Sequence, residues 1–480
     1  MVRQLEIGRI WLAQEGMDVT ANPLGLSRRR LLQGMGGTLG VLGLAACGTV
    51  QTAPAMEEKE AEAPKEEEKP AEAPQPAEPT DVEFLIGPFA GRNADAMETL
   101  LTNFHAKTPD IQIKLIVAES GTNYQQQIAT FVAAGANADV VHMSGGHFTY
   151  AADGVVVNLD DHIKADADFD IAAYYPRVTE FYREPAGGQW ALPWNHATEG
   201  VYYNKTLLGE AGLDDPGEDW NWDDLREMAR VLTKDANNDG EPESWGVEFR
   251  LVRIDHVLRS YGGGFLADNN TRSVITDPKS IAALQFIADL ILKDRTHPYP
   301  ALGWNNGFAQ GKIAISFLPE WAAVRLGNVE GLDFDVGIMP QGPEGRFTFH
   351  GSGGASMFST SDSQDAAWEV LKWFCNYDGG EWAVARAISY PAGSPTALIA
   401  ANEFFWSEYL TKPENRTRFL KNPDFAVVPF GGSWDGRFFD QSSRQALPQI
   451  WEGAKSVEEV ARELDALWVA RLEETGRLKS

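Results

Sequence analysis

The sequence predicts an α/β fold in which a largely parallel sheet carries helices on both faces. Apolar runs of strand length occur at Val82–Ile86, at the alternating Ile111–Val117 and at Asp139–Met143. Between them lie segments with apolar residues three or four apart. These are Asn93–Thr108, through Met97, Leu100, Leu101 and Phe104, and Tyr124–Ala134. Strands that alternate with amphipathic helices build a mainly parallel sheet covered on both sides. Such sheets take ligands beyond the carboxyl ends of their strands. The loops that begin at Gly87, Ala118 and Ser144 are therefore the candidate ligand loops, with Phe89, Glu119 and Ser144 as their contact residues.

Composition narrows the function. The 480 residues are 43% hydrophobic and 11% aromatic, which excludes collagen, a coiled coil and wholesale disorder. Asp plus Glu number 69 against 41 Lys plus Arg, a net charge of -28 that repels phosphate backbones and argues against nucleic acid as a partner. The two cysteines, Cys47 and Cys375, are too few for a disulfide framework or a Cys-rich zinc site. No G-x-S-x-G elbow occurs, and Gly311-Lys312 lacks the remaining residues of a phosphate loop. His142 and His147 lack the partner spacing of a zinc site. A glycosidase carboxylate pair stays open, because only separation in space reveals one.

The first residues read as an address. Ser27-Arg28-Arg29-Arg30 leads into Gly34–Ala46, an uncharged apolar run shorter than the roughly 20 residues a bilayer span needs. A basic stretch before a short apolar core is an export signal, and paired arginines at its front fit the twin-arginine class. Leu44-Ala45-Ala46-Cys47 resembles a bacterial lipobox. That resemblance implies removal of residues 1–46 and lipidation of Cys47, which anchors the chain to the outer face of the membrane or the cell surface. Met1 and Met17 are both candidate starts. Residues 47–80, rich in Pro, Glu and Ala and without aromatics, form a disordered tether. Pro-rich chain reaches ~3.1 Å per residue. Cys375 sits in the apolar stripe Trp368–Cys375 without an electropositive neighbourhood, so it is expected as a buried structural thiol.

A set of ordered motifs spans residues 81–480. Thr108-Pro109-Asp110-Ile111 follows a helix, and Ala133-Ala134-Gly135-Ala136 runs into Asp139-Val140-Val141. Val157-Asn158-Leu159-Asp160 is followed by Gln189-Trp190-Ala191-Leu192-Pro193-Trp194 and then by Val201-Tyr202-Tyr203-Asn204-Lys205. Further on come the Trp-led helix 220–233, Phe308-Ala309-Gln310-Gly311-Lys312-Ile313, Glu320-Trp321, Phe334–Pro340 and Gly351-Ser352-Gly353-Gly354. This order resembles the extracellular solute-binding proteins, family 1, of sugar ABC importers. The resemblance implies a two-lobed fold of the periplasmic-binding-protein type (type II), each lobe a mixed, mainly parallel sheet flanked by helices, with a hinge. It places residues 81–192 and 320–378 in one lobe and 193–319 and 379–480 in the other. The crossings fall near Leu192-Pro193, Phe317–Glu320 and Tyr377–Gly380. The implied partners are a carbohydrate and the permease subunits of the importer, the chain acting as a monomer.

The chain holds 15 tryptophans. Trp194, Trp304 and Trp434 stand in loops beside Asn195, Asn305-Asn306 and Asp435. Sugars offer C–H faces to aromatic rings and hydroxyls to Asn and Asp, so Trp194, Asn195, Trp304, Trp434 and Asp435 are expected ligand contacts. Trp190, Trp222, Trp368, Trp373 and Trp382 read as packing. Gly353 and Gly354 allow close backbone approach to a ligand or form a plain turn. The family pattern adds Glu320, Trp321 and Tyr390. Asp235, Asn237, Asp239, Glu241 and Glu243 match the first nine positions of a calcium loop, but Gly246 stands where a bidentate Glu belongs. A structural calcium is the one cofactor this suggests. The helix Ser456–Arg471 packs through Val460, Leu464, Leu467 and Trp468. The resulting expectation is capture of a sugar without covalent chemistry. The alternatives are a secreted glycoside hydrolase, an adhesin or chemotaxis component, and a binder of polyamine or glycerophosphodiester.

Overall fold

The structure is a computed structural model that describes residues 78–88, 94–119, 124–135, 138–143, 147–183, 187–267, 270–375, 396–427 and 436–478. Residues 75–480 form one compact unit. Among the described residues the strands are β1 (Thr80–Ile86), β2 (Ile111–Val117), β3 (Val140–Met143), β4 (Leu192–Pro193), β5 (Ala197–Asn204), β6 (Trp245–Glu248), β7 (Leu266–Ala267), β8 (Arg272–Ser273), β9 (Ile313–Pro319), β10 (Phe334–Gly337), β11 (Thr348–Gly351), β12 (Gly354–Met357) and β13 (Ala426–Val427). They make two main sheets. The first has the order β2-β1-β3-β12-β4, the second β13-β11-β5-β9-β6 with β10 also on β5, and β7 pairs β8 apart from both.

Each sheet is buried on both faces, as the alternation predicts. In β1, Val82, Phe84 and Ile86 face a core shared with Met97, Leu100 and Phe104 of the helix Ala94–Lys107, while Leu85 points to the opposite face with Ile128. In β5, Val201 and Tyr203 join one core and Tyr202 the other. The helix Trp222–Leu232 starts at a capping box in which the Asn221 and Asp224 side chains each take the other's backbone N–H. Its Trp222, Leu225, Ala229 and Leu232 are buried. The helix Val457–Glu474 buries Val460, Leu464 and Trp468 but leaves Leu467 exposed, because spacing by four keeps one face and Leu467 falls off it.

Strand direction follows from where the chain passes between the sheets. β4 ends and β5 begins across residues 194–196, and β11 ends and β12 begins across 352–353. A strand that starts at such a passage runs opposite to its neighbours that end there. β12 is therefore antiparallel to β3 and β4, and β5 is antiparallel to β9, β10 and β11. β1, β2 and β3 are mutually parallel, as are β6 with β9 and β11 with β13. The second sheet is thus less parallel than expected. The carboxyl ends of β1, β2, β3, β6 and β9 all lie on the passage side of their sheets.

Two boundaries differ from the expected ones. The chain does not leave the second sheet at Phe317–Glu320: β10 and β11 both pair with β5, so residues 320–351 belong there. The motif at 313–321 marks a strand end, not a lobe change. The passage expected at Tyr377–Gly380 lies outside the described residues. Ala397, Leu398 and Ala401 nevertheless pack in the first sheet's core, and Phe405 and Trp406 in the second's. A third passage therefore runs through the helix Ile399–Phe404, and 396–401 are not part of the second lobe.

Candidate functional site

The three passages come together. Asn195 Oδ1 accepts the Gly353 N–H at 2.6 Å, and the Ser352 hydroxyl donates to the Asn195 carbonyl at 2.7 Å. Asn195 also bridges Thr396 through the backbone. One carboxamide thus ties the first passage to the second. Gly353 is required here, because a Cβ would run into the Trp194 indole and lie 3.0 Å from Asn195 Oδ1.

On the first sheet, Trp194 stacks on His142 with centroids 4.7 Å apart, and His142 stacks on Tyr124 at 5.1 Å. The Tyr124 hydroxyl donates to the carbonyls of Leu85 and His142, near the carboxyl ends of β1 and β3. Burial lowers the His142 pKa to about 3, so the imidazole is neutral. Trp194 is only 2% exposed, so in this arrangement its ring packs within the protein. Glu119 is exposed at the end of β2, where its backbone N–H and C=O pair with the Gln127 carboxamide.

On the second sheet two polar groups flank β5. Glu320, directly after β9, is fully buried. It accepts hydrogen bonds from the Thr198 hydroxyl and, at 3.0 Å, from Asn422. Its other oxygen lies 3.6 Å from His196 Nδ1. Desolvation holds this carboxyl well above the usual range and pulls His196 down to about 4, so burial opposes charge on both. The second group is Glu199, buried, whose carboxylate takes the Arg250 guanidinium at 2.8 Å. Burial raises Glu199 to about 7 against the pull of Arg250 and Arg253. Arg253 lies over the Phe349 ring at 4.3 Å. At the end of β6, the Glu248 carboxylate accepts the N–H groups of Leu302 and Gly303 and so fixes the turn Gly303–Asn306. That turn carries Trp304, whose side chain is outside the description.

The remaining expected contacts scatter. Trp321 is half-buried with the Arg325 guanidinium over its ring at 4.5 Å. Gly354 packs against the Leu192 carbonyl and Tyr182, so it serves strand contact. Phe89, Ser144, Tyr390, Trp434, Asp435 and the lipidation residue Cys47 lie outside the described residues, as does Trp382. Trp222, Trp368 and Trp373 are buried. Cys375 is a buried thiol that donates to the Leu192 carbonyl, its pKa pushed up by burial.

The acidic loop caps itself. Asp235 accepts the Gly240 N–H, Asn237 that of Asp239, Asp239 that of Glu241 and Glu243 that of Ala236, while Glu241 pairs Arg295. Among the described residues no group of three or more His, Cys, Asp or Glu side chains could hold a metal ion. An acidic pocket lined by Asp81, Glu83, Asp139 and Asp362 opens at the amino ends of β1 and β3, away from the passages.

Sequence reasoning missed Arg250, Arg253, His196, Glu199 and Asn422. The signal for the arginines was Trp245–Glu248, a short apolar strand masked by the calcium-loop pattern just before it.

Two α/β sheets joined, among the described residues, by three adjacent chain passages, with polar groups where the strands end, define a hinged two-lobed binding protein. The sequence pattern of the bacterial extracellular solute-binding proteins matches residues 90–380, well over half the chain, and the chain belongs to that family. It is 24% identical to the sn-glycerol-3-phosphate-binding periplasmic protein UgpB of Brucella melitensis, over 57% of this chain and 64% of that one. Its fold is that of the Listeria monocytogenes ABC substrate-binding protein solved with cycloalternan, with a TM-score of 0.70 and 19% identity over 84% of this chain and 100% of that one. The cyclic α-maltosyl-1,6-maltose binding protein of Arthrobacter globiformis gives a TM-score of 0.69 at 20% identity, covering 82% and 100%. Among the described residues no helix is long and apolar enough to cross a membrane.

Proposed function

We propose that this chain captures a carbohydrate between its two sheets and presents it to the permease of an ABC importer, without covalent chemistry. The observation that carries the reading is the hinge. Three passages meet around Asn195 and Gly353, and the carboxyl ends of both sheets' parallel strands lie on that side. Ligand that touches both lobes favours the closed state by its differential affinity, and the permease then reads a closed shape. Solved proteins of the same fold are named for cycloalternan and cyclic maltosyl-maltose, which supports a sugar as cargo. The twin-arginine-type signal and Cys47 support export followed by lipid anchoring, with residues 47–80 as the tether. The working unit is one chain.

The test is a thermal-shift screen of the full chain against mono-, di- and trisaccharides. Ligand that binds only the folded state stabilises it by about 2.7 kcal/mol at a hundredfold excess over Kd. A clear rise with one sugar, recovered unhydrolysed, supports capture, and conversion of that sugar would instead mean a glycoside hydrolase. Loss of fatty-acid labelling in Cys47→Ser tests the anchor.

A further inference from the structure

Arg250 and Arg253 follow the carboxyl end of β6, on the passage side of the second sheet. Phe349, under Arg253, lies two residues before the end of β11. The nearby charges are unequally served. Arg444 pairs with Asp440 within the helix Gly436–Ala446, and Arg250 pairs with Glu199. Arg253 feels Glu199 and Asp440 at longer range, but its guanidinium hydrogen-bonds no carboxylate among the described residues. Its Nε is buried and without an acceptor. A buried guanidinium N–H without an acceptor costs free energy. The contact with the Phe349 ring, 4.3 Å from its centroid, restrains the guanidinium, so less freedom remains to be lost when a planar or tetrahedral anion docks.

We propose that Arg253, stacked on Phe349 beside the Arg250–Glu199 pair, reads an anionic group on the carbohydrate that this chain binds, either a carboxylate or a phosphate ester. The proposal rests on the carbohydrate reading above and specifies it. Guanidinium forks bind both groups in bidentate fashion, with charge-assisted hydrogen bonds. It also explains why a chain of net charge -28 places two arginines at its strand ends. Without them the protein's own field repels an acidic sugar.

The experiment is isothermal titration of the full chain with matched probes: glucose, glucuronate and glucose 1-phosphate, then maltotriose and trigalacturonate, then inorganic phosphate and glycerol 3-phosphate. Each is measured on wild type, Arg253→Met and Arg253→Lys, with the melting temperature of the unliganded variants as the check on folding. The expected result is that an acidic sugar binds more tightly than its neutral match. Arg253→Met should weaken it by roughly ten- to a hundredfold, as loss of a hydrogen bond to a charged group does. Arg253→Lys keeps the charge without the fork and should fall between. Preference for the uronates or for the phosphate esters identifies the group. Should Arg253→Met not fold, the salt dependence of wild-type binding and Arg253→Lys carry the decision. Neutral sugars that bind as tightly as acidic ones, or an acidic preference that survives Arg253→Met, overturn the anion site and leave the carbohydrate reading standing. Glycerol 3-phosphate or inorganic phosphate bound through Arg253, with no sugar bound, sinks the carbohydrate reading and keeps the anion site. No acidic probe bound at all overturns the anion site.

Discussion

Glu320 and His196 face each other at 3.6 Å with neither side chain open to solvent, one just after β9 and the other just before β5. Burial opposes charge on each: it holds the carboxyl well above its usual range and pulls the imidazole down to about 4, so His196 is neutral at pH 7. The pair is therefore a polar junction beside the first passage, held by Thr198 and Asn422, and not a salt bridge. Charge at position 320 is dispensable and hydrogen-bonding capacity is not. Glu320→Gln keeps an acceptor for Thr198 and Asn422 and should shift stability by under about 1 kcal/mol. Glu320→Ala leaves two buried donors without their acceptor and should cost about 1–3 kcal/mol each where water cannot enter. Urea denaturation midpoints of the two variants decide this, and equal losses would overturn the neutral-junction argument.

The pH dependence follows from the same burial. His142, His196, His256, His297 and His350 are buried, with pKa values lowered by desolvation to between about 3 and about 4. In the unfolded chain each binds a proton near 6.5. Their contribution is full above about 6.5 and is lost as pH falls through that value toward the folded pKa. Glu199, Glu248 and Glu320 act in the opposite sense. Their folded pKa values are raised, Glu199 to about 7, so their contribution is full below the ordinary 4.5 and is lost as pH rises through the folded value. Five groups outweigh three, so stability should fall between pH 6.5 and 4.5, by up to about 1.4 kcal/mol per pH unit for each net proton. His350→Leu removes one of the five, along with two buried ring nitrogens that have no hydrogen-bond partner among the described residues. It should flatten the slope by one proton. A urea midpoint that does not change between pH 7 and pH 5 would contradict this account.

Much of the first sheet was legible because periodicity reports burial directly. Val82, Phe84 and Ile86 on one face with Leu85 on the other is a strand covered twice, and Met97, Leu100 and Phe104 mark the helix that covers it. The lobe boundary at 320 was not legible. β9, β10 and β11 are all short apolar strands, and nothing local distinguishes a return within one sheet from a passage to another. The buried polar residues were missed for a related reason. Glu199, His196 and Asn422 look like surface residues until pairing brings β5, β9 and β11 together and shuts out water. Arg253 and Phe349 are 96 positions apart in the numbering, and only the fold stacks them.

The acidic loop 235–243 holds its turn with its own side chains. Its carboxylates cap its own N–H groups, and Asn238 and Gly240 hold the positive φ values that the turn needs. These bonds hold the turn through the loop's own side chains, and Asp235 keeps a second oxygen that is buried without a hydrogen-bond partner among the described residues. Millimolar calcium, or a chelator, should leave the melting temperature unchanged. Asp235→Ala should lower stability by about 1–2 kcal/mol through the lost cap on Gly240. A calcium-dependent rise in melting temperature would show that the loop rearranges around the ion.

The contact of Gly353 with Trp194 connects hinge packing to ligand capture. The indole lies against a backbone position that has no Cβ, while Asn195 holds the same peptide by its N–H. Gly353→Ala must push the indole or the passage aside, and overpacking of this kind costs about 1–3 kcal/mol. Displacing the indole also breaks its stack on His142, and through Tyr124 that stack is tied to the carbonyls at the ends of β1 and β3. The near-ultraviolet circular dichroism of the tryptophans should therefore change in Gly353→Ala. Asn195→Ala removes the tie between passages while leaving the indole seated, so it should lower stability with little change in that spectrum. The two variants also separate two effects on binding. Loosened passages reduce the population of the closed state and weaken every ligand alike. A displaced Trp194 reshapes the first lobe's side of the site and should change the ranking of ligands. If both variants shift all ligands by one common factor, Trp194 acts only as packing.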